Sequence, residues 1–404
     1  MKTEPRSAPP LSERARSTPP SPTLAIDDAA RQLKARGVDV LSLGAGQPDF
    51  DTPADIQEAG IGAIRKGETR YTAVAGIPDL RAAVAAKLER ENGIRVSPAQ
   101  VMAAAGVKPA LYHALLALVG PGDEVVIPTP CWPSYPEMVR LAGGVPVEAP
   151  LSPESGFAFS EARVRQAVGP RTRVLLLNSP NNPTGAVASR EALLALGQLA
   201  VEKDLWVITD EIYEKLVYGK AEHVSLAALS PEFARRTVTL NGFSKAFAMT
   251  GWRIGYAAGP ADVIEAMTAL QSQTSGNCNS IAQRAAAFAL SAAHPDSVGT
   301  MQAAFAARRE IVLAEVAGWR HARLFPPAGA FYAFVDLSAY AAALPGGGGS
   351  VALAKHLLDS ARVAVVPGAA FLEDRYQRLS YACSEPELRA ALGRIRAALA
   401  ELKP

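Results

Sequence analysis

The feature that most constrains the fold is a series of short, continuously apolar segments, each leading into polar or turn-forming residues. They occur at residues 123–128, 173–177, 205–210 and 237–240. A continuous apolar run, without the alternation of a half-exposed strand, is typical of a parallel sheet that is covered on both faces. Helical patterns alternate with these segments, as parallel crossovers require. The sequence therefore predicts an α/β protein with a mostly parallel central sheet.

Composition excludes several classes of protein. A chain of 404 residues is long enough to bury a large core and to form two or three domains. The formal net charge of +2 gives no argument for a nucleic-acid or anionic membrane partner, and no apolar run approaches the ~18 residues of a membrane-spanning helix. Cys131, Cys278 and Cys383 lack metal-binding spacing and suit free thiols in a reducing compartment. We therefore expect a cytoplasmic protein.

A single lysine lies in the segment after the fourth apolar run. Residues 241–256 read NGFSKAFAMTGWRIGY, in which Lys245 has apolar neighbours and the next charged residue is Arg253. Apolar surroundings lower the pKa of a lysine, and a neutral amine is a nucleophile toward carbonyl groups. The alternative is a side chain that extends from a turn into solvent, and for an arbitrary lysine this is the favoured interpretation.

The string around this lysine changes that interpretation. Gly-Phe-Ser-Lys, then Ala-Met, then Gly-x-Arg-Ile-Gly resembles the pyridoxal-phosphate attachment signature of the class I/II aminotransferases of fold type I. The longer string SKAFAMTGWRIGYAAGP is most like the bacterial aspartate aminotransferases. The resemblance implies that Lys245 holds the cofactor as an internal Schiff base, that Ser244 belongs to the cofactor-binding residues, and that Arg253 forms a salt link with the phosphate.

The resemblance covers nearly the whole chain, from about residue 11 to the C-terminus, with the motifs in the family's order. It implies a large domain, residues 52–304, in which helices cover the mostly parallel sheet that binds pyridoxal 5′-phosphate. It also implies a smaller α+β domain formed by residues 23–51 and 305–404. Residues 1–22 are rich in proline and arginine, without the apolar core of a secretory signal, and are expected to form a flexible arm.

Three motifs match family residues that contact the cofactor ring. Residues 178–185 resemble the "NxPxNPTG" signature, whose second asparagine, here Asn182, donates to the 3′-oxygen. In the "DEIY" element, Asp210 matches the partner of the protonated pyridine nitrogen and Tyr213 matches a second partner of the 3′-oxygen. An aspartate at the end of an apolar run is costly unless it is paired, although it could cap a helix. Trp132 matches the aromatic side chain stacked on the ring; the alternative is a plain core tryptophan.

Two segments match the residues around the cofactor phosphate. The turn Gly106, Val107 and Lys108 precedes a predicted helix, so its amides and the helix dipole favour an anion. Relatives often have a small residue where this chain has Val107, so contact through the backbone is expected, while Lys108 either adds charge or is solvated. Tyr71 resembles the tyrosine that crosses the dimer interface to the partner's phosphate; the alternative is a packed loop tyrosine. The family interpretation requires a homodimer with shared active sites.

The substrate carboxylate also has matching residues. Gly46 lies in the segment GxGxPDF, where bare backbone allows close approach. Arg378, followed by Leu-Ser-Tyr, matches the arginine that grips the α-carboxylate with its planar fork. Arg375 is close in sequence but lacks that context. The charged loop FLEDRYQ, which contains Arg375 and precedes Arg378, lacks the family's usual glycines. Trp132 and Asn182 complete the residues expected around the substrate.

The predicted activity is transfer of an amino group from an L-amino acid to a 2-oxo acid by a ping-pong mechanism, with aspartate and 2-oxoglutarate as the first choice. Aromatic amino acids, alanine and prephenate remain alternatives, because no second arginine for a side-chain carboxylate can be identified. A C–S lyase, decarboxylase or oxidase on the same fold is a further alternative. A non-catalytic ligand sensor is disfavoured, because the residues before the first predicted helix are too few for a DNA-binding domain.

Overall fold

The computed structural model describes residues 10–291 and 297–404. Within these ranges the α-helices are α1 (Glu13–Ser17), α2 (Pro22–Ala35), α3 (Ala54–Arg65), α4 (Pro78–Lys87), α5 (Val107–Leu118), α6 (Ser134–Leu141), α7 (Glu161–Ala167), α8 (Arg190–Glu202), α9 (Pro231–Ala234), α10 (Ala261–Thr274), α11 (Ser280–Ala289), α12 (Val298–Val316), α13 (Ser338–Ala342), α14 (Ser350–His356) and α15 (Glu385–Glu401). No helix in the described ranges combines the length and apolar content needed to cross a membrane.

The strands are short and fall into three sheets. They are β1 (Leu41–Ser42), β2 (Val101–Ala104), β3 (Glu124–Thr129), β4 (Val145–Pro150), β5 (Thr172–Asn178), β6 (Trp206–Asp210), β7 (Thr237–Gly242), β8 (Gly255–Ala258), β9 (Arg323–Leu324), β10 (Tyr332–Asp336), β11 (Val363–Ala364), β12 (Val366–Pro367) and β13 (Tyr376–Ser380).

The central sheet has seven strands in the order β2-β8-β7-β6-β5-β3-β4. Strands β4, β3, β5, β6 and β7 are mutually parallel, and β8 runs antiparallel to both of its neighbours. The four apolar segments of the sequence correspond to β3, β5, β6 and β7. The predicted mostly parallel α/β sheet is therefore confirmed.

Both faces of this sheet are covered, which explains the continuous apolar runs. Side chains alternate between faces along a strand. In β5, Val174 and Leu176 pack with α5, α6 and α10, whereas Leu175 and Leu177 pack with α7, α8 and α9. Each of these four side chains is almost completely buried. Burial of one such side chain contributes about 1.5–3 kcal/mol, so covering both faces makes the sheet a stable platform.

The parallel strands bring their carboxyl ends to one edge of the sheet. Strands β3, β5, β6 and β7 end at Thr129, Asn178, Asp210 and Gly242. Ligands of open α/β sheets bind beyond the carboxyl ends of the strands. The segments that follow these strands contain most of the predicted site residues, so the fold itself brings them together.

The segment after β7 is held at both ends, because the strands that flank it, β7 and β8, pair with each other. Gly242 of β7 pairs directly with Gly255 of β8. A Cβ atom on Gly255 would lie 2.9 Å from the backbone nitrogen of Val107, so this position tolerates only glycine without a backbone shift. Residues 243–254 therefore form a loop fixed to the sheet at both ends, and this loop carries Lys245 and Arg253.

A second, antiparallel sheet has the order β12-β13-β10-β9. Strand β1 pairs in parallel with β11, and the Ser380 amide of β13 donates to the Leu43 carbonyl at 2.7 Å. These contacts join the segment after β1 to the C-terminal part of the chain. They agree with the predicted grouping of residues 23–51 with residues 305–404, although the domain boundaries remain predictions.

Part of the predicted arm lies outside the described residues, namely residues 1–9. In the described remainder, α1 begins after Ser12, whose Oγ accepts a hydrogen bond from the Ala15 amide at 3.2 Å. Helix α2 begins at Pro22, where a missing N–H costs little. Regular structure therefore starts within the segment that the sequence assigned to the arm.

Candidate active site

A cleft of about 920 Å³ lies at the carboxyl edge of the central sheet. It is lined by parts of α2, by the segment after β1, by the N-terminus of α5, by the segments after β3, β5, β6 and β7, and by β10 and β13. Its lining includes these residues predicted from the sequence: Gly46, Val107, Lys108, Trp132, Asn182, Asp210, Tyr213, Ser244, Lys245, Arg253 and Arg378.

The side chain of Lys245 projects into this cleft from the loop after β7. Its Nζ donates to the Gly46 carbonyl and lies 5.9 Å and 5.7 Å from the ring centres of Tyr213 and Phe331. Burial lowers the pKa of Lys245 to about 8, with a further contribution from the positive charge of Arg378. Roughly a tenth of the amine is then neutral at pH 7, compared with about one part in three thousand at the ordinary pKa.

Asp210 ends β6 as a buried carboxylate. Its Oδ2 accepts from the Tyr135 hydroxyl at 2.8 Å, and its Oδ1 accepts from the Ile212 amide at 3.2 Å. Burial raises the pKa of Asp210 to about 6, against the lowering effect of both hydrogen bonds. No lysine, arginine or histidine of the described residues forms a salt bridge with it. At pH 7 this carboxylate is thus mostly ionised and can accept a hydrogen bond from a protonated ring nitrogen.

Arg378 is only 2% exposed and is held from several sides. Its Nη1 donates to Asn182 Oδ1 at 3.0 Å and its Nη2 to the Gly44 carbonyl at 2.7 Å. The guanidinium lies 4.3 Å from the ring centre of Tyr332. Its buried Nε has no hydrogen-bond partner among the described residues. A buried guanidinium held by neutral acceptors is suited to bind a carboxylate from a ligand.

The Tyr213 hydroxyl faces a second tyrosine. The two hydroxyl oxygens of Tyr213 and Tyr332 are 2.9 Å apart. Burial, together with the neighbouring hydroxyl, raises the pKa of Tyr213 well above its ordinary value. The phenol is therefore protonated at neutral pH and can donate a hydrogen bond to an anionic oxygen.

A cationic pocket surrounds the N-terminus of α5. Gly106 has φ of 104°, and a Cβ there would lie 2.6 Å from Arg253 Nη2. Arg253 donates from Nη1 to the Thr250 carbonyl at 2.9 Å and from Nη2 to the Ala105 carbonyl at 3.1 Å. Its φ of 54° is a left-handed conformation that costs a non-glycine residue about 1–2 kcal/mol.

Lys108 adds a second cation beside this turn. Its Nζ lies 4.5 Å from the ring centre of Trp132. Burial, and then the charge of Arg253, lower the pKa of Lys108. Two cations that destabilise each other, next to free amides at a helix N-terminus, form a site for an anion such as a phosphate.

Trp132 lies at the side of the cleft and contacts Tyr135 edge to face, with ring centres 5.4 Å apart. Tyr135 therefore connects the predicted stacking side chain to Asp210.

Tyr71 lies away from the cleft: it is 97% exposed and does not line the cleft of its own chain. The position of Tyr71 agrees with the predicted role across a dimer interface and does not test it.

Sequence reasoning missed several residues that shape the site. Tyr135 and Tyr332 hold Asp210, Tyr213 and Arg378, as described above. Asn178 donates from Nδ2 to the Asp210 carbonyl at 2.9 Å and accepts at Oδ1 from the Asn182 amide at 3.0 Å. A signal existed for Tyr135, because it follows Trp132 by three residues at a helix start. No local signal existed for Tyr332.

The fold and the cleft define a class of protein. The sequence profile described as "Aminotransferase class I and II" matches residues 38–395. The chain therefore belongs to the class I and II aminotransferases. It is 46% identical over 393 residues to the probable aspartate/prephenate aminotransferase of Aquifex aeolicus, covering 97% of this chain and 99% of that protein. It is 47% identical over 388 residues to the aspartate/prephenate aminotransferase of Thermus thermophilus, covering 95% and 97% respectively.

The similarity extends to solved structures. The aspartate aminotransferase from Thermus thermophilus with maleate superposes with a TM-score of 0.92 and 44% sequence identity, covering 97% of this chain and 100% of that one. The predicted family and fold type are confirmed, and so is the predicted aminotransferase class of enzyme.

Proposed function

We propose that the enzyme uses pyridoxal 5′-phosphate to transfer the amino group of an L-amino acid, with aspartate as donor and 2-oxoglutarate as acceptor. The observation that carries this proposal is the arrangement of Lys245, an amine with a lowered pKa, in the same cleft as the buried guanidinium of Arg378. When bound, the cofactor supplies an electron sink for the pair of electrons released at the substrate Cα.

The residues present fit this cofactor. Asp210 is a buried carboxylate without a salt-bridge partner among the described residues, as a protonated pyridine nitrogen requires. Gly106 leaves space that a Cβ would fill beside Arg253, and Lys108 adds charge there, as a phosphate requires. Tyr213 presents a protonated hydroxyl for the phenolic oxygen. We assign Asn182 to the same oxygen, and Val107 and Ser244 to the cofactor-binding segments that line the cleft.

Lys245 would attach the cofactor and then act on the substrate. Its partly neutral Nζ is a nucleophile toward the cofactor aldehyde. As a free amine beside the substrate, the same Nζ would be the base that takes the proton from the substrate Cα. The contact with the Gly46 carbonyl orients Nζ within the cleft.

Arg378 and Gly46 would orient the substrate. The guanidinium is fixed by Asn182, Gly44 and Tyr332, so it loses little conformational freedom on binding a carboxylate. Holding the α-carboxylate decides which bond at Cα is directed toward Lys245. A Cα–H bond in that position favours transamination over cleavage of other bonds.

The choice of aspartate draws support from charge and from the relatives. Besides Arg253 and Arg378, the cleft is lined by Lys108 and by the exposed Arg31 and Lys34. This excess of cations favours acidic substrates. The two relatives described above carry aspartate and prephenate in their names, so prephenate is the second candidate acceptor. A homodimer in which Tyr71 reaches the partner's phosphate, and a cytoplasmic location, belong to the same proposal.

The decisive experiment follows the absorption spectrum of the cofactor-loaded protein while single amino acids are added. We expect aspartate to convert the band of the covalently bound cofactor to that of pyridoxamine phosphate, with one equivalent of oxo acid. Subsequent addition of 2-oxoglutarate or prephenate should reverse the change. Release of ammonia, carbon dioxide or peroxide, with the original band retained, would contradict transamination.

The lowered pKa of Lys245 predicts the pH dependence of cofactor attachment. The cofactor-free protein is mixed with pyridoxal phosphate at several pH values, and the attached product is trapped with borohydride and counted by mass spectrometry. We expect the attachment rate to rise with pH and to level off above about pH 8, because only the neutral amine attacks the aldehyde. Nα-acetyl-lysine, which keeps a free ε-amine, is the control, and its rate should continue to rise toward about pH 10.4. If the attachment rate of the protein rose with pH as that of the control does, the pKa of Lys245 would not be lowered.

A further inference from the structure

A buried network of charged side chains lies behind the loop that carries Asp210 and Tyr213. Glu211, the residue after Asp210, is 2% exposed. Its Oε2 lies 2.9 Å from His223 Nε2 and accepts from Ser225 Oγ at 2.6 Å. The His223 side chain is 9% exposed. These contacts belong to none of the roles assigned above.

The same network holds Glu214, the residue after Tyr213. Glu214 pairs through Oε1 with the buried ammonium group of Lys87 and accepts from Asn92 Nδ2 at 2.7 Å. Asn92 also donates to Ser225 Oγ at 3.0 Å and thereby joins the two halves. Glu211, Glu214 and His223 have the composition of a metal site, but Lys87 already supplies a cation to Glu214.

The charges balance only when His223 is protonated. Burial disfavours the imidazolium, but the charge of Glu211 and its hydrogen bond, and then the charge of Glu214, outweigh burial and raise the pKa of His223. Lys87 opposes them weakly. Despite burial, Lys87 and His223 lower the pKa of Glu214 to about 2.

The two carboxylates thus face two cations. The neighbouring Glu91 lies 3.9 Å from Lys87 Nζ and is itself paired with Lys215 at 2.6 Å, so it leaves this balance unchanged. Loss of the His223 proton leaves one buried carboxylate without a compensating charge.

The loop from Asp210 to Tyr213 adjoins this network at both of its ends. The Glu214 amide donates to the Glu211 carbonyl at 2.9 Å, so residues 211–214 form one turn. The Glu211 amide donates to the Leu240 carbonyl at 2.9 Å, which joins the turn to β7, the strand that precedes Lys245. Glu211 therefore adjoins Asp210 through one peptide unit and Tyr213 through this turn.

We propose that His223 is a positioning residue: its protonated ring fixes Glu211, and through it Asp210 and Tyr213, in the geometry that turnover requires. This inference rests on the proposed function. Its consequence is that kcat contains a component that falls as His223 loses its proton. KM changes little, because Arg378 and Gly46 are not part of the network.

The test replaces His223 with glutamine, whose amide still donates to Glu211 but cannot carry charge. The kcat of the wild type and of His223→Gln is measured from pH 6 to pH 9. The ratio of the two values removes the pH dependence that arises from groups present in both proteins. We expect a ratio on the order of tenfold at pH 6, where the variant lacks only the positive charge that faces Glu211, approaching one at pH 9. His321→Gln, which alters a histidine packed on Tyr340, is the matched control and should give a flat ratio near one.

Unfolding of the cofactor-free proteins gives a second readout, independent of activity. Because the folded state raises the pKa of His223, its contribution to the free energy of unfolding is full below the ordinary value of 6.5 and is lost as pH rises through the folded value. The stability difference between wild type and His223→Gln should therefore shrink with rising pH.

A third variant, Glu211→Gln, removes the negative charge that stabilises protonated His223. The decrease in kcat that accompanies loss of the His223 proton should then occur at lower pH.

The outcomes separate the two proposals. An active wild type with a pH-independent ratio, or with a pH-independent stability difference, would overturn the role of His223 alone. A wild type that retains the predicted stability difference but converts no amino acid would overturn the proposed function, and the proposed effect on kcat with it.

Discussion

Replacing Lys245 with alanine is expected to lower kcat by about 10³-fold or more, which is within the range for removal of a general acid–base group. Under the proposed function, the substitution removes both the nucleophile for the cofactor and the base at the substrate Cα. Pyridoxal phosphate should still bind noncovalently, because Arg253, Lys108 and Asp210 are unchanged. Turnover is measured with aspartate and 2-oxoglutarate, and covalent attachment by borohydride trapping and mass spectrometry.

Lys220→Ala is the matched control, since Lys220 is an exposed lysine outside the cleft. It should retain wild-type activity and attachment. A small primary amine added to Lys245→Ala should restore part of the lost rate by supplying a diffusible base. Full activity of Lys245→Ala without added amine would refute the assignment of this residue.

Replacing Arg378 with lysine is expected to lower kcat/KM for aspartate by about 10²-fold or more, chiefly through KM. Lysine keeps the positive charge but lacks the planar fork that grips a carboxylate at two points. It also leaves the Asn182 and Gly44 oxygens without their present donors, which costs about 1–3 kcal/mol for each unpaired group. Cofactor attachment to Lys245 should persist. Steady-state kinetics and the spectrum of the loaded protein measure the two effects separately.

Arg375→Lys provides a control three residues away on the same segment. Arg375 is half-exposed and pairs with Glu373, outside the cleft. Lysine at position 375 keeps the positive charge that faces Glu373, so activity should remain near that of wild type. If Arg375→Lys lost as much kcat/KM as Arg378→Lys, or if Arg378→Lys were fully active, Arg378 would not be the carboxylate anchor.

Local sequence was sufficient for the sheet and for most of the cleft. The apolar run before Asp210 predicts a strand that is buried on both faces, and parallel strands necessarily end at one edge. The residues after those strands, such as Asn182 and Lys245, are therefore neighbours in space. The motif around Lys245 then predicts which of these residues bear on chemistry, and the fold places them in one cleft.

The site residues that the sequence did not predict make contacts with positions far away along the chain. Tyr332 meets Tyr213 across 119 residues of chain, and Lys87 meets Glu214 across 127. No local pattern indicates such a pair, because the two side chains approach only after the sheet and its covering helices have formed. The predicted arm, residues 1–22, also contains Pro22, the first residue of α2, where proline favours the first turn of a helix.

The pairing of Gly242 with Gly255 has a consequence for ligand choice. The loop between these glycines carries the amine of Lys245 and the guanidinium of Arg253, and the sheet fixes both of its ends. The backbone therefore fixes the positions of the two residues relative to each other. Under the proposed function, an aldehyde without an anion at the matching distance would contact only one of the two side chains. The length of the ligand would then contribute to selectivity before the amine reacts.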